Sequence, residues 1–175
     1  MLKGVLLLLA VLVVLDGLVL WHVLRVEGAV APLMRVGEGP PETPLAGKPA
    51  PAFALPDLQG KEVSLAQFRG KEVLLVFAST ECGVCQKMFP YLGAFHQEHP
   101  EQTIVMVLKG GQQAREEVAK ENGFDFPVLA WDDEVARAYK VPGTPWFFVV
   151  DEEGKVRRSG TANTLERITA FALGQ

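Results

Sequence analysis

Cysteine is scarce in this chain: two in 175 residues, beside three histidines and no cluster of lysine or arginine. Two cysteines cannot staple a disulfide-rich scaffold, so the fold has to rest on a hydrophobic core. With 17 basic and 21 acidic residues the net charge is −4, and no basic stripe is present to engage nucleic acid. Long hydrophobic runs are also few. The longest, Val5–Leu24, is broken only by Asp16, Gly17 and His22. What remains is room for one ordinary domain with an appendage.

The N-terminal run is about 30 Å long as a helix, the thickness of a hydrocarbon core. It is longer than the apolar segment of a secretory signal, and the small-residue site at Ala29–Ala31 is followed by Pro32, which disfavours cleavage. The expectation is an uncleaved transmembrane anchor over residues 1–24. Asp16 is read as an acid tolerated within it, and Trp21 and His22 as its interfacial end. Basic residues are nearly balanced across the span, so charge does not orient it. From Arg25 to Pro51 lie six of the twelve prolines, with Gly28, Gly37, Gly39 and Gly47. That composition cannot pack a core, and residues 25–44 read as a tether. Residues 45–175 form the expected globular domain.

Within it, Phe53–Leu55 and Val63–Leu65 read as a short hairpin, and Val73–Ala78 as a strand buried on both faces. A helix is expected from about Cys82, burying Met88, Phe89, Leu92 and Phe95. Ile104–Leu108 is a second core strand, Gln112–Asn122 a helix stopped by Gly123, Phe126–Ala130 a short strand and Glu134–Tyr139 a short helix. Trp146–Val150 and Lys155–Ser159 pair as a hairpin. Asn163 and Glu166 have the form of a capping box opening the last helix. Lys109-Gly-Gly111 lacks the spacing of a phosphate loop and reads as a turn. The fold class is α/β, a central mixed sheet flanked by helices.

Cys82-Gly83-Val84-Cys85 directly follows the first core strand and opens a helix. Cysteines at i and i+3 in a first turn bring their sulfurs within disulfide reach. The helix N-terminus stabilises a thiolate on the first of them. Cys82 is then the nucleophile and Cys85, one turn inward, the resolving thiol. A zinc site would need two further ligands, and His96 and His99 lie at the far end of the same helix, so no metal site is expected.

The flanking residues carry a resemblance. Gly47-Lys-Pro-Ala-Pro-Ala-Phe-Ala-Leu-Pro-Asp-Leu-Gln-Gly60, Cys82–Pro90 and Val141-Pro-Gly-Thr-Pro145 resemble the TlpA/ResA-like membrane-anchored thioredoxin-like family over residues 46–173. Shorter marks, including Val84-Cys85, Trp146 and Gly160–Thr164, are most similar to its methylamine-dehydrogenase accessory (MauD-like) members. The resemblance implies a thioredoxin-like fold with an N-terminal hairpin extension. It also implies a helix-kinking Pro90 and a cis Thr144–Pro145 loop whose backbone pairs with substrate. Trp146 is either a substrate contact or a core aromatic. Three positions depart from the pattern. Glu81 stands where most thioredoxins have tryptophan, and its charge should oppose a thiolate at Cys82. Val76 and Met88 stand where a buried acid would serve the resolving cysteine.

The resemblance implies a membrane-tethered thiol–disulfide oxidoreductase acting on protein thiol and disulfide clients, without cofactor beyond a redox-active Cys82–Cys85 disulfide. It places the domain outside the cytoplasm, with a membrane thiol carrier of the DsbD/CcdA type as redox partner. Two other classes stay open: a non-catalytic assembly factor of the same fold, and a peroxidase, although no proline stands upstream to complete the peroxidase motif around Thr80 and Cys82.

Overall fold

The computed structural model describes Gly4, residues 14–18, Trp21 and residues 45–174, and the chain divides into two compact units, Met1–Pro40 and Pro41–Gln175. Residues 14–18 are helical. The remainder of the expected anchor and the whole of the expected tether lie outside the described residues. Among the described residues no helix is long and apolar enough to cross a membrane.

Val73–Ser79 (β3) and Thr103–Lys109 (β4) are continuous apolar runs, and both form strands covered on two faces. They pair in parallel, Val73 opposite Thr103 through to Ser79 opposite Lys109. The helix Gly83–Glu98 (α1) makes the crossover between them. Val128–Ala130 (β5) extends the parallel side beyond β4, while Trp146–Val150 (β6) and Val156–Gly160 (β7) add antiparallel strands beyond β3. The strand order is β5-β4-β3-β6-β7, a mixed sheet. Ala54–Pro56 (β1) and Glu62–Ser64 (β2) form a separate antiparallel pair before it.

Strand alternation sorts the core into two layers. Leu74, Val76, Ala78, Ile104, Met106 and Leu108 face α1 and the last helix, Leu165–Leu173 (α4). Val73, Leu75, Phe77, Val105 and Val107 face the β1–β2 extension and the short helix Asp133–Ala138 (α3). In this second layer Tyr139 meets Phe53, Phe77 and Phe148, and its hydroxyl donates to Pro51 O at 2.8 Å. Burial holds that phenol well above the usual range. The extension is pinned at both ends: Pro49 bridges to Lys155 and Asp57 to Leu129.

Several expected boundaries shift by a residue or two, and three of the shifts have a local cause. The strand expected from Phe126 begins at Val128, because Pro127 has no N–H to give and contributes only its carbonyl, which accepts from Met106 N at 2.9 Å. The helix expected from Glu134 begins at Asp133, since Asp132 is extended and its carboxylate takes the N–H groups of Glu134 and Val135. The last helix is capped by Thr164, not Asn163. Thr164 Oγ1 accepts from Arg167 N at 3.3 Å, which leaves Glu166 one position too early for a capping box.

Candidate active site

The Cys-Gly-Val-Cys segment sits where β3 ends and α1 begins, and a set of short hydrogen bonds ties the turn between them. Thr80 N donates to Lys109 O at 2.9 Å, Cys82 N to Ser79 O at 3.3 Å, and Glu81 N to Ser79 Oγ at 3.3 Å. From inside the helix, Gln86 Nε2 reaches back to Thr80 O at 2.9 Å. The Thr80 side chain lies against Gly110, whose φ of +146° and lack of a side chain are both required. A Cβ there would lie 2.4 Å from Thr80 Oγ1.

Cys82 is the N-cap of α1, and its sulfur accepts the Cys85 N–H at 3.2 Å. A thiolate there does what a capping oxygen does elsewhere: it satisfies a free N–H at the positive end of the helix. The Cys82 thiol also lies 3.3 Å from Thr144 O, its acceptor, in the loop before β6. Burial works to raise the Cys82 pKa. Hydrogen bonds to the sulfur from the Cys85 thiol and N–H, the Thr144 side chain and the Val84 N–H outweigh it, and the thiol is held below its ordinary value. The opposing charge of Glu81, which is exposed, does not reverse this.

Cys85 has the contrary environment. It is 0% exposed and belongs to the same buried layer as Val76 and Met88. Burial, then the hydrogen bond to the Cys82 sulfur, push its thiol up to about 11, against smaller opposing contributions from the Ser79 backbone and the Thr144 side chain. Both cysteines are free thiols.

The other residues singled out from the sequence divide between site and scaffold. The Thr144–Pro145 peptide is cis, Thr144 is half-buried and Pro145 buried. Gly83 is exposed and Val84 is 49% exposed, so an apolar side chain stands at the surface between the two cysteines. Pro90 lies within α1, where it leaves the Gln86 carbonyl without its i+4 donor. Trp146 opens β6 opposite Phe77 and packs on the second core layer. His96 and His99 part company, His96 pairing with Asp125 and His99 with Glu101.

Sequence reading missed the groove beside Cys82. Ser79, Glu81, Lys109 and Trp131, at the ends of β3, β4 and β5, line it together with the loop Val141–Thr144. The sequence places Lys109 in a turn, whereas it is the last residue of β4. The signal that locates it is its place as the last residue of a parallel strand beside β3, because ligands collect at the carboxyl ends of such strands.

A helix-capping thiol of lowered pKa, a buried partner one turn inward and a cis-proline loop touching the outer sulfur define a thiol–disulfide oxidoreductase of thioredoxin-like fold. The AhpC/TSA family pattern matches residues 46–159. The chain is 34% identical over 116 residues to thiol-disulfide oxidoreductase ResA of Geobacillus thermodenitrificans, covering 64% of this chain and 67% of that one. It is 35% identical over 124 residues to ResA of Bacillus subtilis, covering 69% of each. Its fold superposes on the thioredoxin domain of a thiol-disulfide oxidoreductase from Bacteroides vulgatus with a TM-score of 0.63 and 26% identity, over 73% of this chain and 97% of that domain. The chain belongs to the AhpC/TSA family and, within it, to the TlpA/ResA-like thiol–disulfide oxidoreductases.

Proposed function

We propose that this oxidoreductase exchanges disulfides with client proteins through Cys82 and Cys85 while tethered to a membrane by its N-terminal segment, its domain facing outside the cytoplasm. The observation that carries the assignment of roles is the asymmetry of the two thiols. One is accessible and acidified at a helix N-terminus; the other is enclosed in an apolar layer.

In the reducing direction, the Cys82 thiolate attacks one sulfur of a client disulfide. That S–S bond breaks, the client's other sulfur leaves as a thiolate and takes up a proton, and Cys82 is left in a mixed disulfide. Cys85 then loses its proton and attacks the Cys82 sulfur. The mixed disulfide breaks, the second client thiol departs, and the Cys82–Cys85 disulfide holds the two electrons' worth of oxidation. The reverse sequence oxidises a client dithiol. As the Cys82 sulfur enters the mixed disulfide it gives up its hydrogen bond to Thr144 O. That carbonyl is then free to pair with an extended client segment, a one-residue version of strand addition.

The residues supply the redox couple themselves, so no further cofactor is needed. A membrane thiol carrier of the DsbD/CcdA type would pass electrons across the bilayer, and tethering would raise its effective concentration at Cys82. Clients would be extracytoplasmic redox enzymes under assembly, such as a methylamine dehydrogenase or a cytochrome. The test is capture. Cys85→Ser should hold a disulfide-bearing client as a mixed disulfide that dithiothreitol releases, whereas Cys82→Ser should hold none. Equal capture by both variants would contradict the assignment of roles.

A further inference from the structure

The groove beside Cys82 carries one charge of each sign in a definite order. β3, β4 and β5 run parallel, with Ser79 level with Lys109 and Leu108 level with Ala130. Their carboxyl ends therefore stand side by side. Crossing them from the cysteine, a bound chain meets Glu81 just beyond β3, then Lys109 at the tip of β4, then Trp131 just beyond β5. Trp131 is held in place. Its indole N–H donates to Asp133 Oδ1 at 2.8 Å, and its ring meets Phe77 edge-on at 5.9 Å. The Lys109 ammonium sits over that ring, 5.7 Å from its centroid. Among the described residues neither Lys109 nor Glu81 makes an ion pair.

From this geometry we infer that the groove selects client segments bearing an acidic residue a short step from the reactive cysteine, on the flank that crosses β4. The inference rests on the exchange reaction proposed above. Lys109 is exposed, positioned by the tryptophan face and without a carboxylate of its own, so a client carboxylate completes it. Glu81, next to Cys82, repels an acid placed directly beside the client cysteine, which sets how far along the chain that acid has to stand. Neighbouring strands are about 4.8 Å apart and an extended chain advances about 3.3 Å per residue, so β4 is reached within one or two residues of the mixed disulfide. The stem of the client's acidic side chain can lie on the exposed part of Trp131. Such complementarity acts mainly on the rate and partner choice of exchange.

The test uses the full chain in detergent and disulfide-bearing probe peptides. Their reactive cysteine has glutamate, glutamine or lysine placed either two residues before it or two residues after it. A small neutral disulfide serves as reference. At low salt, one placement of glutamate should exchange about tenfold faster than lysine in the same place. Added salt should draw that ratio toward one. Lys109→Gln should bring it near one and Lys109→Glu should invert it, each peptide rate being taken relative to the same variant's rate on the small disulfide. Equal rates for glutamate and lysine at both placements would overturn the inference while leaving the exchange reaction standing. So would a preference that survives in both Lys109 variants. If the unmodified chain exchanged with no peptide and not with the small disulfide, the exchange reaction itself would fall, and the inference with it.

Discussion

Cys82 takes the position that serine, threonine or aspartate holds at most helix starts, and its chemistry follows from that substitution of sulfur for oxygen. Against burial, hydrogen bonds from the Cys85 thiol and N–H, and less so from Thr144 and the Val84 N–H, favour its anion, so the thiolate is present below the ordinary thiol range and is lost only as pH falls through that lowered value. Cys85 has the opposite sign. In the reduced pair burial pushes its pKa up to about 11, so at neutral pH it is held as the thiol. Val76 and Met88, both fully buried beside it in the core layer, offer no carboxylate to take the proton. Burial, the larger cause, persists when Cys82 is held in the mixed disulfide, so resolution should quicken as pH rises above 7, by up to about tenfold per unit. Met88→Glu should raise the neutral-pH rate by about tenfold or more, the scale of general-base assistance, at some cost in stability from burying an acid. Stopped-flow release of a client thiol measures both. A rate independent of pH, or unmoved by Met88→Glu, would place the slow step elsewhere. These residues were legible in the sequence, because a dithiol at i, i+3 after a buried strand is a local pattern. Lys109 and Trp131 were not. They reach the site only through the parallel register of β3, β4 and β5, which joins segments distant in the chain.

Among the elements, α1 bears the greatest demand, since it presents Cys82 at one end and closes a core layer along its length. It also passes hard against the end of the helix Gln112–Glu121 (α2). Gly93 makes that passage possible: a Cβ at this position would stand 2.3 Å from the Asn122 carbonyl oxygen, a backbone atom that cannot swing away. Gly93→Ala should cost about 1–3 kcal/mol in urea unfolding, the usual penalty for overpacking. Exchange with a small disulfide should stay near normal in conditions where the variant is folded. Unchanged stability would mean that the two helices part at little cost. Strand and helix order followed from apolar runs and glycine stops, while several boundaries moved by a residue or two, some of them where a single polar group decided the end. Pro127 without its N–H delayed β5. The choice between Asn163 and Thr164 turned on which side chain could reach the Arg167 N–H, and two adjacent residues that can both cap a helix do not reveal that in sequence.

For the whole molecule, the domain supplies the chemistry, and the proposed tether assigns the address to the N-terminal segment. The apolar run Val5–Leu24 is long enough to span a bilayer. The full chain should accordingly stay with membranes through a high-salt wash. After reduction, a membrane-impermeant thiol reagent should reach Cys82 from outside the inner membrane, with any outer membrane permeabilised. Labelling that required lysis of the inner membrane would put the domain in the cytoplasm and contradict the proposed role outside it.

The division of labour between two thiols one helical turn apart is the centre of this account, and pH-resolved alkylation tests it most directly. The reduced full chain is treated with iodoacetamide at a series of pH values, and each cysteine is followed by mass spectrometry. Cys82 should be modified with a midpoint below the ordinary thiol range, while Cys85 stays unmodified to about pH 10. A shared midpoint, or modification of Cys85 before Cys82, would contradict the account.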